Sequence, residues 1–544
     1  MRNALIGMLL PLAGPGFVLW GGLCSAAGAQ DLWIDHVTLV SAERASPLRD
    51  ADVYIRDGRI SAISVSTASH PKVPPRVTTI DGKGLYLTPG LIDSHVHLGS
   101  IPGMTDEQER AYPEIARAAR DQIPRSYLYF GFTTLIDLIS TPEAMARWKS
   151  HNPVPDTFFC GGAALMDGYP TNYVPKPTRY DRFPYFLIEP GIAAPPGIDP
   201  EAHSPAAVVT RMKADGAICV KTFFERGFGA VHDLPVPQAE TIRALVRAAH
   251  AAGLPVLVHA NADEAQAFAL DSGVDIIAHG LWNTKERPAT AGELTPAMKA
   301  ILDRVIANNV GWQPTIQVLY GLQNLFDARV LSDPMLARVL PRSLIDWYGT
   351  PEGQWFHDEI TADIAKSNPG VPKVALRVNL LAPIGIVKAA TGYLASHGGR
   401  LLFGTDTPSA PTYANPPGLN AWKEMHNLLD AGLTPAQIFE MATRSNALAF
   451  RLDQEIGTVQ VGKRANLLLL RQDPTQSIEA YAAIAKVILA GRVLDTTGLA
   501  ADRKNTHPSD VPPMSGLRKR GTGFKRPLLA VSDHPWRRPA SSGN

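Results

Sequence analysis

Cysteine is scarce in this sequence, and neither sign of charge dominates. The 544 residues include three cysteines, Cys24, Cys160 and Cys219, too few for a framework of disulfides, and nothing indicates whether the last two pair. No CxxC motif is present, so any metal site must be built from His, Asp, Glu or Lys. The formal net charge of +1 argues against a general binder of nucleic acids, which would need a concentrated basic face.

Long apolar runs are missing too, except near the beginning of the chain. Arg2 precedes an apolar stretch over residues 4–23, which Ala27-Gly28-Ala29 follows with a small-x-small pattern. This order is typical of a secretory signal cleaved after Ala29, so we predict a signal peptide over residues 1–29 and a periplasmic or secreted protein. An uncleaved membrane anchor is the alternative, which the prolines of this stretch disfavour. We expect no stable membrane insertion of the mature chain.

Both ends of the remaining chain carry strand-like patterns. Residues 51–55 and 59–63 flank Asp57-Gly58, the signature of a β-hairpin. Further strand-like runs cover residues 456–459, 465–470 and 485–489. Neither block can bury a sheet alone, so we predict a small β-sandwich assembled from residues 30–88 and 448–498.

Residues 499–544 differ from the rest of the chain. They are rich in Arg, Lys, Pro and Gly and show no apolar pattern. We therefore predict a basic, disordered tail, and binding of anionic surfaces is the alternative role.

Between the two ends, strand-like and helix-like segments alternate. Residues 255–258 and 274–277 are apolar runs of the kind found in parallel strands buried on both faces. A helix is predicted over residues 237–252, where the apolar side chains follow a helical period and Gly253 ends it. Such alternation predicts an α/β fold, a (β/α)8 TIM barrel over residues 89–447.

One short stretch carries the clearest chemical signal. An apolar strand, Pro89-Gly90-Leu91-Ile92-Asp93, leads into His95 and His97, whose spacing places both side chains on one face. At the carboxyl end of a barrel strand that face looks into the mouth of the barrel, where two imidazoles can hold a metal ion. An HxH pair alone is a weak signal, because such pairs also occur by chance on surface loops.

Later strands end in further ligand types. His259 and His279 follow apolar strands directly, and Asp406 follows Leu401-Leu402-Phe403-Gly404-Thr405. A single histidine of this kind is more often a packed core residue than a ligand. Two of them, an aspartate and the HxH pair, all at strand ends, are improbable as packing alone, so we predict that these residues bind metal.

Lys221 ends the apolar strand 217–220 and brings a costly charge toward the predicted barrel mouth. It is either a buried lysine paired with an acid such as Glu225, or a lysine whose pKa desolvation has lowered. In the second case the neutral amine can capture carbon dioxide, and the resulting N6-carboxylysine could bridge two cations. We favour the second interpretation.

Together these motifs resemble the amidohydrolase superfamily over roughly residues 31–498, and within it the imidazolonepropionase-related, Xaa-Pro-dipeptidase-like branch. Further matching motifs are Gly131-Phe132-Thr133-Thr134, Gly404-Thr405-Asp406 and Gly462-Lys463-Arg464-Ala465-Asn466. The resemblance implies two divalent ions, which by analogy with the family are zinc ions. One would be bound by His95, His97 and Asp406, and the other by His259 and His279. Carboxylated Lys221 would bridge the two.

The resemblance also implies an activity. The two ions would share a hydroxide that attacks a carbonyl carbon, and Asp406 would take its proton and deliver it to the leaving nitrogen. We therefore expect a metal-dependent amidohydrolase that cleaves a C–N bond in a small molecule, such as an amide, a dipeptide or an N-acyl amino acid.

Two kinds of alternative remain: another reaction catalysed by the same barrel, and a protein that is not an enzyme. A deaminase would usually carry a glutamate three residues after His259, where Ala262 stands, and a lactonase would attack an ester carbonyl. His259-Ala260-Asn261 also departs from the His-Ala-His usual in the family. In a different class, the chain would be a non-catalytic periplasmic ligand-binding protein, which the complete ligand set argues against and which a metal assay would distinguish.

The sequence also offers candidates for substrate recognition, and it is compatible with a homo-oligomer. Single polar or aromatic residues just past predicted strand ends are candidates for the pocket wall. They are Arg226, His232, Trp282, Gln313 and Tyr320.

Overall fold

The computed structural model describes residues 31–66, 77–228, 231–286, 288, 290, 292–409 and 411–502. The expected signal peptide and nearly all of the expected tail therefore lie outside the described residues. Within these ranges, no helix is both long enough and apolar enough to cross a membrane.

The strands form two sheets. In chain order they are β1 (Leu32–Leu39), β2 (Leu48–Arg56), β3 (Arg59–Val65), β4 (Thr78–Asp81), β5 (Tyr86–Pro89), β6 (Leu91–Val96), β7 (Phe132–Asp137), β8 (Asp156–Ala163), β9 (Cys219–Phe223), β10 (Val256–His259), β11 (Ile276–Ala278), β12 (Gly311–Gln313), β13 (Leu467–Leu470), β14 (Ile484–Leu489) and β15 (Arg492–Leu494).

The first sheet joins the two ends of the described chain. Its strand order is β15-β14-β13-β5-β1-β2-β3, with β4 beside β1, and the ends meet where Leu468 of β13 pairs antiparallel with Thr88 of β5. The predicted hairpin is β2–β3, whose turn residues Asp57 and Gly58 have φ angles of 50° and 73°. Both ends thus contribute to one eight-stranded sheet, but a two-layered sandwich is not confirmed.

The second sheet is parallel and curls into a barrel. Strands β6 to β12 lie side by side in chain order. The segment 400–407 connects the two edges, because Leu402 N donates to Trp312 O on β12 at 3.0 Å and Ser94 N on β6 donates to Phe403 O at 3.2 Å. This eighth segment closes the sheet, as the alternating sequence pattern predicted.

Helices follow most of the barrel strands. In chain order the α-helices are α1 (Asp106–Ala111), α2 (Pro113–Tyr129), α3 (Pro142–Lys149), α4 (Arg179–Arg182), α5 (Pro205–Ala214), α6 (Ala239–Ala251), α7 (Asp263–Ser272), α8 (Pro296–Ala307), α9 (Ile316–Asn324), α10 (Leu336–Val339), α11 (Arg342–Tyr348), α12 (Trp355–Ser367), α13 (Leu381–Ser396), α14 (Leu419–Asp430), α15 (Pro435–Glu440), α16 (Asn446–Ala449) and α17 (Thr496–Leu499). In α6, Ile242, Leu245 and Ala249 form the predicted buried stripe.

One detail differs from the sequence-based expectations, and another concerns a point that the sequence left open. Residues 456–459 are a bend and not a strand, because Gly457 adopts a φ of 90° and packs so closely that an added Cβ would lie 2.4 Å from Ala447 Cβ. Cys160 and Cys219, whose pairing the sequence left open, form a disulfide. They are register partners on the neighbouring strands β8 and β9, which brings their Cα atoms to 4.4 Å.

Candidate metal centre

The predicted ligands meet at the carboxyl end of the barrel. His95 lies on β6, Lys221 on β9 and His259 at the end of β10, while His279 follows β11 directly and Asp406 lies in the closing segment. These five residues are buried, and His97 is partly exposed. Parallel strands end at the same edge of a barrel, so residues that are up to 311 positions apart in sequence share one site.

Asp406 lies at the centre of three imidazoles. Its Oδ1 atom is 3.2 Å from His95 Nε2 and 2.9 Å from His97 Nε2, and its Oδ2 atom is 3.5 Å from His279 Nδ1. Ligand atoms of His95, His279 and Asp406 all lie within 4.8 Å of one another. Two nitrogens and a carboxylate oxygen at such separations match the donor set that divalent zinc prefers.

Gln313 determines which nitrogen of His95 faces Asp406. Gln313 Nε2 donates to the Oγ of Ser94 at 2.8 Å and to its carbonyl at 3.3 Å, so its Oε1 faces His95 Nδ1 at 3.0 Å. Because Oε1 accepts, Nδ1 of His95 carries the proton, and Nε2 of the neutral ring presents a lone pair. This lone pair faces a carboxylate oxygen, an arrangement that a cation between them would stabilise.

The protonation states also suit metal binding. Burial lowers the pKa of His95 to about 3 and holds the pKa of His279 well below its ordinary value, so both rings are neutral at neutral pH. Burial alone would raise the pKa of Asp406, but the facing imidazoles outweigh it and hold that pKa well below its ordinary value. Neutral imidazoles and an ionised carboxylate are the forms that coordinate metals.

Two of these residues have unusual backbones. His279 has a φ of 78° and Asp406 a φ of 54°, in the left-handed region that non-glycine residues seldom adopt. The backbone of Asp406 is held there because its N–H donates to the carbonyl of His95 at 2.7 Å. Such strain, maintained by surrounding hydrogen bonds, is typical of functional sites.

Lys221 is buried without a hydrogen-bonding partner for its Nζ atom in the described part of the chain. Burial lowers its pKa to about 7, although the charge of Asp406 acts in the opposite direction. The alternative partner, Glu225, contacts other groups: Oε1 accepts from Gly227 N at 2.9 Å and Oε2 lies 3.2 Å from His259 Nε2. The ion pair between Lys221 and Glu225 is therefore not formed.

Glu225 is a site residue that the sequence did not identify as such. Its carboxylate can only accept, so Nε2 of His259 is the protonated nitrogen and Nδ1 keeps a lone pair. A carboxylate behind a histidine commonly fixes the tautomer of a metal ligand in this way. The sequence offered one signal, an acid just past the strand that ends near Lys221, but only the fold shows that it contacts His259.

The predicted ligands open into a cavity of about 2500 Å³. Of the five predicted wall residues, Trp282 lines this cavity, and its ring centre lies 5.3 Å from that of His279. Gln313 is buried behind His95, as described above. The remaining three are not among the described lining residues: Arg226 pairs with Glu264 at 2.9 Å, Tyr320 contacts Lys388 at 3.1 Å, and His232 is exposed.

The barrel and its cluster of histidines, lysine and aspartate are those of a metal-dependent barrel protein, and comparison with known proteins gives the family. The sequence profile of the Amidohydrolase family matches residues 86–289 and 353–494. The chain therefore belongs to the Amidohydrolase family, which confirms the superfamily that the motifs indicated.

Curated relatives match over parts of their length. A dihydroorotase of Solibacter usitatus is 26% identical over 211 residues, which is 39% of this chain and 37% of that protein. An imidazolonepropionase of Cupriavidus necator is 34% identical over 99 residues, 17% of this chain and 24% of that protein. The chain thus spans less than two thirds of either relative.

Among solved structures, a Xaa-Pro dipeptidase with methionine bound in its active site is similar over 86% of this chain and 100% of that chain. The TM-score is 0.56 and the sequence identity 21%, which shows a shared fold.

Proposed function

We propose that this protein is a metal-dependent hydrolase of a C–N bond in a small molecule, an amide, a dipeptide or an N-acyl amino acid. The observation that carries the proposal is the contact of 3.2 Å between the unprotonated Nε2 of His95 and Oδ1 of Asp406, inside a cluster of buried donors. The family and relatives such as a dihydroorotase and an imidazolonepropionase support this class of reaction.

The residues divide into two groups that would hold two divalent ions of the zinc type. His95, His97 and Asp406 would hold one ion, and His259 and His279 would hold the other. Lys221, whose amine is buried and whose pKa is about 7, would react with carbon dioxide and bridge them as N6-carboxylysine. When bound, such ions lower the pKa of water and polarise a carbonyl oxygen.

Asp406 is the group that would move the proton. Its Oδ1 atom is engaged by His95 and His97, whereas Oδ2 has the longer contact, 3.5 Å, with His279. Oδ2 would accept a proton from the attacking water and then deliver it to the leaving nitrogen, acting first as base and then as acid. The imidazole ligands cannot take this role, because each would coordinate through its unprotonated nitrogen and its other nitrogen already carries a proton.

We also propose that the protein is exported, with residues 1–29 removed as a signal peptide. The disulfide between Cys160 and Cys219 supports this, because such bonds persist in oxidising compartments. Amino-terminal sequencing of the native protein should find Gln30 first. Cytosolic protein that retains Met1 would contradict export.

The activity is tested by screening the purified protein against dipeptides, N-acyl amino acids and lactones, with detection of released amine or acid. We expect amides to be cleaved, and Asp406→Asn to lower the turnover number by at least about a hundredfold while most of the bound metal is retained. Hydrolysis of lactones alone would assign the ester alternative. An Asp406→Asn variant with near-normal turnover would show that another group moves the proton.

A further inference from the structure

Four aromatic side chains line the cavity beside the metal centre. They are Tyr169, Phe223, Phe228 and Trp282, which we call the aromatic recess. Tyr169 lies at its middle, with its ring centre 5.8 Å from that of Phe223 and 5.6 Å from that of Phe228, both in edge-to-face geometry. This geometry is favourable for aromatic pairs, so these three rings pack against one another, and Trp282 lines the same cavity.

The recess lies against the second pair of predicted ligands. The ring centre of Tyr169 is 4.8 Å from that of His259, and those of Phe223 and Phe228 are 6.3 Å and 6.2 Å from it. The ring centre of Trp282 is 5.3 Å from that of His279. A substrate whose scissile bond reaches these histidines therefore places the neighbouring group against aromatic rings.

From this placement we infer that the recess binds an aromatic ring or another bulky apolar group next to the scissile amide. The inference rests on the proposed function and names its substrate class. Rings also attract organic cations, but divalent ions held by His259 and His279 would repel a positive group at this place. A neutral apolar group gains contact with the rings without that repulsion.

The size of the cavity agrees with a bulky substrate. Its volume of about 2500 Å³ exceeds the range of roughly 300–1,000 Å³ that is usual for small-molecule sites. Further apolar side chains, including Leu319, Leu322 and Ile386, also line it. A small acyl group such as acetyl would leave the recess unfilled.

The first test compares hydrolysis of N-benzoylglycine with that of N-acetylglycine, which yield glycine and benzoate or acetate. We expect kcat/KM to be at least about tenfold higher for the benzoyl substrate. Phe228→Ala and Trp282→Ala should lower that ratio severalfold. The matched control is Phe326→Ala, which removes a ring outside the described lining of the cavity and should keep the wild-type ratio.

The second test measures binding without catalysis. Calorimetric titration of the metal-loaded protein should give a dissociation constant at least about tenfold lower for 3-phenylpropionate than for propionate, and Phe228→Ala should remove most of the difference. If 3-phenylpropionate binds selectively but no amide is cleaved, the inference about the recess is supported and the proposed function is wrong. If amides are cleaved without preference for the ring and both acids bind equally, the recess inference is wrong.

Discussion

Nδ1 of His95 lies 3.0 Å from Oε1 of Gln313, and this one contact sets the nitrogen with which His95 faces Asp406. Gln313 is fully buried and sits at the end of β12, 218 residues further along the chain. From the sequence, Gln313 was predicted to line the pocket wall, whereas the structure places it behind the predicted ligand His95.

Gln313→Leu should therefore weaken metal binding without removing any ligand. Loss of the acceptor frees His95 to rotate and to adopt the other tautomer, and partners of this kind typically contribute about 10- to 100-fold in metal affinity. The measurement is a competition titration with a zinc chelator. Gln122→Leu removes another buried amide, bonded to Leu499 O far along the chain, and should leave zinc affinity unchanged. Equal affinity in Gln313→Leu would refute the tautomer argument.

Glu225→Gln should lower the affinity for the second ion in particular. An amide can donate to Nε2 of His259, and the proton then moves to Nδ1, the nitrogen that should bind the metal. We expect elemental analysis to show one tightly bound ion in this variant and two in the native protein. Glu189→Gln is the control, since this buried carboxylate accepts from Gln238 N and Thr241 Oγ1 instead. Two tightly bound ions in Glu225→Gln would contradict this role.

Lys221→Ala should lose much of its metal, because the bridging carboxylate that we propose could not form without the amine. Short carboxylic acids such as acetate, added at high concentration, should restore part of the metal content and of the turnover. Acetate supplies the carboxylate that N6-carboxylysine would provide, so rescue distinguishes a missing bridge from a misfolded barrel. A Lys221→Ala protein with two ions and full activity would show that the lysine has no bridging role.

A pH-dependent stability is expected from Glu424 on α14. It is fully buried and accepts from the backbone N–H groups of Ile316 and Gln317, yet burial raises its pKa from 4.5 to about 7. The folded chain thus holds a proton that the unfolded chain releases between about pH 4.5 and pH 7. Stability from this group is complete below pH 4.5 and is lost as the pH rises through 7, by up to about 3 kcal/mol.

The measurement compares the free energy of unfolding at pH 5 and pH 8 in the metal-free protein and in Glu424→Gln. The native protein should lose more stability across this interval than the variant, by up to about 3 kcal/mol. If both proteins lose the same amount, Glu424 is already ionised at pH 5 in the folded state.

How far the sequence predicts the site depends on the kind of signal. The sequence predicts the positions of His95, His259 and Asp406, because each comes at the end of an apolar strand and parallel strands end at one edge of the barrel. The sequence does not predict the contacts that support these residues. The contacts of Gln313 and Glu225 depend on how their side chains are oriented, and the closed barrel sets that orientation. The disulfide is similar: Cys160 and Cys219 are 59 residues apart and become neighbours only through the register of β8 and β9.

In the fold, the alternating central pattern predicts the barrel because buried strands and amphipathic helices differ in period. The segment 456–459 was wrongly predicted as a strand, because its apolar residues are buried by packing around the turn at Gly457 rather than by strand pairing. The sandwich predicted from the two strand-rich ends is not confirmed, although both ends contribute to one sheet. Because β13 pairs with β5, the strands from both ends of the described chain belong to one sheet.

The most direct test of the metal-dependent hydrolase is a titration of the metal-stripped protein with zinc. The amount of bound metal and the rate of amide cleavage are both measured at each step of the titration. The protein should lose turnover on N-acyl amino acids when stripped, and should regain it in proportion to added zinc until two ions are bound per chain. Turnover that persists in fully stripped protein, or a chain that binds no zinc, would contradict the account.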